Sequence, residues 1–294
     1  MNVDLLFVTV PPNFLGYLLT KFSKKNNIKI IVDIIDVWPE ALPVPVPAKK
    51  ILNITFGKIW KSLRNFTIQN SDYIITESNY FFQLMQIDKE KKARIIYLKK
   101  TQENELIDYN SSISETLTFC YLGNIGRIND IDSFIQIALI VSKKREIFIK
   151  IIGDGDKKDY FIDKLNFYGI NYVYYGKIFE ENKKYELLKD SWFGFNGYKD
   201  TTEVALSYKS IDYWSYGIPI INSAKGDTSL FIKGNRIGVN FSENDLTYAI
   251  SFLESISLNE VKLMKTMSYN FFKENFSYSS YVKDFDDILL NIYK

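Results

Sequence analysis

Short apolar runs rich in Val, Ile, Phe and Tyr recur along the chain, each separated from the next by a longer segment of helical period. That alternation is the pattern of parallel strands joined by crossover helices, because strands pointing the same way need a long connection. The runs fall at 3–10, 28–35, 73–76, 94–98, 117–122, 148–152, 172–175, 193–195, 219–221 and 238–241. At about 150 residues per domain, 294 residues suggest two α/β domains. The stretch from Lys99 to Glu115, with Asn, Ser, Glu and Thr and little apolar periodicity, is the natural divider. The reading is an N-terminal domain over 1–100, a linker over 101–116, a second domain over 117–275 and a C-terminal helix over 276–294 packing back towards the first. Tyr281, Phe285, Ile288, Leu289 and Ile292 give that helix its apolar face.

The chain contains no histidine, which removes Ser-His-Asp and Cys-His triads and the commonest zinc ligand. Chemistry here falls to carboxylates, Lys, Arg, hydroxyls and the backbone. Lys+Arg 37 against Asp+Glu 35 leaves a net charge of +2, so no global field invites nucleic acid. A single cysteine, Cys120, forms no intrachain disulfide and fits a cytoplasmic setting. The first ten residues lack the pattern of a signal peptide, and no apolar run is long enough to cross a membrane.

Several motifs sit where strands give way to helices. Gly123, Asn124, Gly126 and Arg127 follow the run at 117–122, where glycines let backbone N–H groups approach an anion at a helix start. Arg127 is one of only five arginines. A tight turn with a solvated arginine is the competing reading. Lys209 and Asp212 stand three apart on a helix and share a face with Tyr213; they suit a diphosphate and a ribose hydroxyl, or a surface ion pair with each other. Gly226, Asp227 and Thr228 form another glycine turn opening a helix, an anion seat or an ordinary N-cap. Asp36 and Glu40 flank Trp38-Pro39 beyond a strand that is apolar apart from Asp33, facing a crevice or forming a turn. Gly153-Asp154-Gly155-Asp156 is read as a turn rather than a metal site. From 48 to 66, Leu52, Phe56, Ile59, Trp60, Leu63 and Phe66 share a helical face, with Lys49, Lys50, Lys58, Lys61 and Arg64 among the other positions. Such a helix suits an anionic membrane surface, or a sheet with its basic face in water.

Taken in order, five segments resemble a GT-B fold glycosyltransferase of the family 4 type, in the manner of bacterial capsule and exopolysaccharide enzymes. They are Asp36-Val37-Trp38-Pro39-Glu40, Ser71 to Ser78, Tyr121 to Gly126, Ile151 to Gly155, and Lys209 through Gly226-Asp227-Thr228. The resemblance implies two Rossmann-like parallel-sheet domains facing a cleft. It places the donor diphosphate against Gly123, Asn124, Gly126, Arg127, Lys209, Gly226, Asp227 and Thr228, with Asp212 near the ribose. The family's paired glutamates are altered: Asp212 stands in place of the second, and Glu203 is one residue out of register with the first. Asp36 takes the place of an N-domain histidine.

The implied reaction transfers a sugar from a nucleotide-sugar, a UDP-sugar, to a lipid-linked saccharide acceptor in surface polysaccharide biosynthesis, retaining and without metal or other cofactor. Arg127 and Lys209 would stabilise the leaving phosphates, and Asp36 or Glu40 would serve as base were the reaction inverting. The implied setting is the inner face of the cell membrane. A non-catalytic partner subunit or remnant, or a nucleotide-sugar epimerase, are the alternative functions. Only four runs precede the divider, against about six strands in a doubly wound half, so the N-terminal domain is expected to be incomplete and completed by another chain or by self-association.

Overall fold

The computed structural model describes residues 3–40, 56–87, 92–100, 113–202 and 204–293. The chain divides into two compact units, Met1–Leu98 with Ser279–Lys294, and Lys99–Tyr278.

In the first unit the order is β1 (Leu5–Val10), α1 (Asn13–Asn26), β2 (Lys29–Ile34), α2 (Phe56–Asn70), β3 (Tyr73–Thr76), α3 (Asn79–Leu84) and β4 (Ala93–Ile95). The four strands are parallel and lie in the order β1-β2-β3-β4. Successive strand residues face opposite sides. Ile30, Val32 and Ile34 accordingly pack with Val8, Val10, Ile74 and Ile68, joined by Leu19, Phe81 and Phe82 from the crossover helices. Ile31, Tyr73 and Ile75 turn to the other side, where Ile288 and Ile292 of the C-terminal helix Tyr278–Ile292 cover them. Arg94 fastens that helix through Asp284 at 2.6 Å and Asp287 at 3.1 Å.

The second unit contains β5 (Leu117–Asn124), α4 (Ile131–Val141), β6 (Ile147–Asp154), α5 (Lys158–Phe167), β7 (Tyr172–Tyr174), α6 (Glu181–Leu188), β8 (Phe193–Asn196), α7 (Tyr208–Ser215), β9 (Ile220–Asn222), α8 (Asp227–Asn235), β10 (Gly238–Asn240), α9 (Thr247–Ser255) and α10 (Leu258–Phe276). Its parallel strands lie in the order β10-β9-β8-β5-β6-β7. Counted from β5, this is the doubly wound order 3-2-1-4-5-6, whose direction reverses between β5 and β8. Phe119, Tyr121, Phe134, Phe161 and Phe195 fill the core, with Phe134 stacked on Phe195 at 4.3 Å.

All ten expected strands are present. β5 and β6 run two residues further than their apolar runs, because Gly123 pairs with Gly153 and Asn124 with Asp154. Gly153, at φ +150°, admits this approach: a Cβ there would stand 1.9 Å from the Gly123 carbonyl oxygen. The glycines expected in an open turn thus first serve to lock two strand ends together.

Candidate functional site

In doubly wound sheets ligands gather beyond the carboxyl ends of the strands near the reversal, and four of the expected residues converge there. Beyond Gly123 and Asn124, the Ile125 N–H donates to the Asp154 carbonyl at 2.9 Å and the Ile125 carbonyl accepts from the Lys157 N–H at 2.9 Å. The two strand-to-helix loops are therefore one stitched unit. Beside them lies a cavity of 350 Å³, lined by Gly123, Asn124, Asp154, Lys177, Phe179 and Asp212 among others. A larger hollow of 620 Å³ sits beside edge strand β10, among Arg236, Tyr248 and Met264, and none of the expected site residues lines it.

Lys209 is aimed at the stitched loops. Ser207 caps α7 by accepting from the Ser210 N–H, and Ser207 donates its hydroxyl proton to Asn196 Oδ1 at 2.7 Å. Asn196, Asn222 and Asn240 stand abreast at the ends of β8, β9 and β10, linked by amide hydrogen bonds of 2.8 Å. This ladder, buried at Asn196 and Asn222, fixes where α7 begins. Tyr213 holds the helix from beneath, its hydroxyl accepting from the Leu122 N–H at 2.7 Å, and Gly194 leaves room for its ring. Tyr213 is therefore fully buried and does not share the face of Lys209 and Asp212.

From that anchored helix, Lys209 Nζ reaches Tyr121 Oη at 3.0 Å and the Asn124 carbonyl at 3.4 Å, and lies 4.4 Å from the Tyr121 ring centroid. Among the described residues no carboxylate pairs with it. The half-buried ammonium loses hydration without gaining a counter-charge, which draws its pKa down to about 7. The expected ion pair with Asp212 does not form. Asp212 instead accepts from Lys100 at 2.7 Å, and Lys100 also bridges to Glu181 at 2.6 Å. Burial pushes the Glu181 carboxyl up, but Lys100, Lys184 and Tyr216 outweigh it and bring it to about 2. Asp212 thus meets the cavity with one oxygen already engaged, which weakens its assignment to a ribose hydroxyl.

The other expected donor residues are placed differently. The Gly126 N–H goes to Asn129 Oδ1 at 3.2 Å, so it is occupied by the loop itself. Arg127 is 83% exposed and pairs with Asp156 at 2.6 Å, the solvated arrangement rather than a built phosphate clamp. Gly226 caps α8 at φ +71°, but the Thr228 N–H and hydroxyl both donate to the Ala205 carbonyl, and Asp227 is buried. That turn ties the loop before α7; it presents no free hydroxyl. Asp154 accepts from the Gly155 N–H and pairs with Lys177 at 3.2 Å, in keeping with a turn, and no metal-holding cluster occurs among the described residues.

In the first unit, Asp36 and Glu40 are bound up in structure. Asp36 accepts from the Val37 N–H at 2.7 Å and from the Trp38 indole at 2.8 Å, while Trp38 stacks on Trp60. Arg64, buried at 1% exposure, grips both Glu40 oxygens at 2.7 and 3.0 Å. Burial raises the Glu40 carboxyl, but the Arg64 hydrogen bonds and charge more than offset this and hold it below the usual range. A carboxylate so held is a poor base, which corrects the expectation for Glu40, and Arg64 is not on a solvated basic face. Of the helix read at 48–66, residues 48–55, including Lys49, Lys50 and Leu52, lie outside the described residues. Phe56 and Ile59 of α2 are exposed, whereas Thr67 and Ile68 are buried, so the apolar stripe does not face the sheet as a whole.

Two further acids that the sequence did not single out are raised by burial. Burial lifts Asp33 to about 6, and burial reinforced by the Asp33 and Asp36 charges lifts Glu77 to about 8. The one available signal was Asp33 itself, a carboxylate interrupting an apolar strand.

No protein-family model matches the sequence, and no curated protein matches it. Solved structures do. Sucrose-phosphate synthase from Thermosynechococcus elongatus matches 99% of this chain and 74% of its own with a TM-score of 0.72 at 12% identity. HepE from Anabaena, solved in complex with UDP, matches 97% of this chain and 78% of its own with a TM-score of 0.72 at 8% identity. The lipopolysaccharide outer core galactosyltransferase WaaB matches 98% and 75% with a TM-score of 0.67 at 13% identity. The fold, two α/β units with parallel sheets, is that of the GT-B glycosyltransferases.

Proposed function

We propose that this protein is a glycosyltransferase that binds the diphosphate of a nucleotide-sugar at Lys209 and transfers the sugar to an acceptor. The observation that carries the reading is a half-buried ammonium with no carboxylate partner among the described residues, held by Tyr121 and Asn124 beside a 350 Å³ cavity at the carboxyl end of β5. An anion arriving there supplies the missing counter-charge, and the charge that grows on the departing phosphates strengthens the interaction as the sugar leaves. HepE, of like fold, was solved with UDP, which supports a uridine nucleotide as the donor.

The finer reading is a retaining transfer of a hexose without metal, in which the leaving phosphate takes the acceptor proton and no dedicated base is needed. Glu40's engagement with Arg64 supports a route that does not depend on it. The acceptor is a lipid-linked saccharide of a surface polysaccharide, as in the capsule and exopolysaccharide enzymes of the family 4 type. The protein works as a peripheral one on the inner face of the cell membrane; no described helix is long and apolar enough to cross it. A non-catalytic partner subunit or degenerate remnant of such an enzyme is the competing reading, favoured by the Lys100–Asp212 pair. Calorimetry with UDP and UDP-sugars, followed by donor hydrolysis, tests both: absence of UDP binding ends the proposal in favour of the remnant, and binding without any turnover points to a non-catalytic subunit.

A further inference from the structure

α1 is built inside out. Its buried positions are Asn13, Gly16, Thr20 and Ser23, small or polar residues that bring it close to its neighbours: a Cβ on Gly16 would stand 2.7 Å from Val10 and 3.3 Å from Thr67 of α2. Its large apolar residues point away, Phe14 at 61%, Leu15 at 44%, Leu18 at 45% and Phe22 at 50% exposure. At 3.6 residues per turn, these four lie on the flank opposite the one pressed against α2. Leu19, between the two flanks, packs on the sheet, so the apolar stripe runs down the side of the helix that overlooks the outer edge of β1, which no strand among the described residues pairs. An edge strand offers unpaired N–H and C=O groups along that edge. On the sheet's other face Phe7 of β1 is 46% exposed as well.

We propose that a second copy of this chain covers this surface, with β1 pairing antiparallel to β1 and α1 packing antiparallel to α1 about a two-fold axis at Leu18. The stripe is its own complement. Phe14, Leu18 and Phe22 recur every four residues, symmetric about Leu18, so the axis sets Leu18 against Leu18 and Phe14 against Phe22 of the other copy. The charges agree with this arrangement. Lys21, Lys24 and Lys25 crowd the last turns of α1 without a carboxylate partner among the described residues. A parallel pairing would set them side by side, whereas the two-fold places Lys24 and Lys25 of the two helices about 18 and about 21 Å from their mates along the helices, well beyond the Debye length of roughly 8 Å, and leaves Lys21 about 9 Å from its mate. The area is that of a small interface. Phe14 and Phe22 still have roughly 100 Å² each to bury and Leu15 and Leu18 somewhat less, so the side chains alone fall short of the ~800 Å² per partner of a standard interface and the ladder hydrogen bonds of the paired edge complete the association. A lipid surface would cover the rings but leave the strand edge unpaired.

Sedimentation equilibrium of the full chain over micromolar concentrations tests this, with twice 34.4 kDa expected. Leu18→Glu brings two carboxylates together at the axis and should weaken association at least tenfold with an unchanged far-UV spectrum, while Phe167→Ser, exposed in the other unit, should leave it intact. Should Leu18→Glu fail to fold, Leu18→Cys replaces it: mild oxidation should join two copies through a disulfide, the native Cys120 being buried. A wild-type monomer at all concentrations, a dimer indifferent to Leu18→Glu, no cross-link on oxidising the Leu18→Cys variant, or a monomer that instead co-sediments with anionic vesicles through this stripe would each overturn the proposal.

Discussion

Each unit encloses a cation near the carboxyl ends of its strands, Arg64 wholly and Lys209 in part, and the two are treated in opposite ways. Arg64 of the first unit is met by both oxygens of Glu40 and by the Trp38 carbonyl, at 2.7 to 3.0 Å. Lys209 of the second unit is met by a phenol and one carbonyl. Burying a charge is costly unless it is paired, so an answered cation is part of the scaffold, while an unanswered one marks a place where an anion is expected. The comparison teaches that burial and charge alone do not distinguish a site from a strut; the partner list does.

The largest effect should come from the strut. Arg64→Ala leaves Glu40 charged and half-enclosed, and breaking such a pair costs about 3–5 kcal/mol, which urea unfolding will show. A loss under about 1 kcal/mol would mean the pair is no strut and the contrast fails. Lys209→Met should reverse the pattern: no loss of unfolding free energy, yet UDP affinity lower by about 1.5–3 kcal/mol, roughly tenfold or more, with uridine affinity unchanged. Equal losses for UDP and uridine in calorimetry would move the diphosphate away from this side chain.

This contrast marks how far the sequence could be read. Strand positions were legible because they are local: each apolar run stands in the fold as a strand, from Leu5–Val10 to Gly238–Asn240. The lysine and the glycines of the site were legible as types at strand ends. Their partners were not, since pairing is set by residues far apart in the chain. Arg64 looked like one of several cations on a helix until Glu40, 24 positions away, was seen to hold it. Lys209 and Asp212, three apart, looked like a pair until Lys100 claimed the aspartate. The Asn196–Asn222–Asn240 ladder escaped notice because each asparagine alone resembles a turn former. Phe14, Leu18 and Phe22 form an apolar stripe of the kind that usually faces the core, and here face out.

Titration sharpens the contrast further. Because the free Lys209 ammonium loses its proton near pH 7, a diphosphate that needs it charged should bind with proton uptake, and UDP affinity should fall as pH rises from 7 towards 9. Calorimetry in two buffers of different ionisation enthalpy reads that proton directly, and Lys209→Met should abolish it. The first unit responds with the acids. Asp33 and Glu77 have folded pKa values raised to about 6 and about 8, so the folded state holds more protons than the unfolded one between about pH 4 and 8. Their contribution to stability is complete below the unfolded values near 4 and is lost as pH rises through the folded ones. Glu77→Gln should flatten the upper part of that decline in thermal melts, whereas a decline that persists to pH 8 in this variant would assign it to another group.

The smallest effect belongs to Arg127, which the sequence placed beside Lys209 as a phosphate ligand. The structure sets it 83% exposed against Asp156. An exposed pair of this kind contributes about 0.2–1 kcal/mol and is screened by salt, so Arg127→Ala should leave stability nearly unchanged. For binding, the side chain must first leave Asp156, and a long exposed arm that is ordered by the ligand loses rotamer freedom on doing so. Lys209 makes no such sacrifice, because Tyr121 and Asn124 already hold it in place. Arg127→Ala should therefore weaken UDP by only about threefold at low salt and by less in 0.5 M salt, while Lys209→Met keeps most of its effect at both. A loss at Arg127 as large and as salt-resistant as that at Lys209 would show that the loop closes over the diphosphate and that the exposed arginine, too, is an unanswered cation.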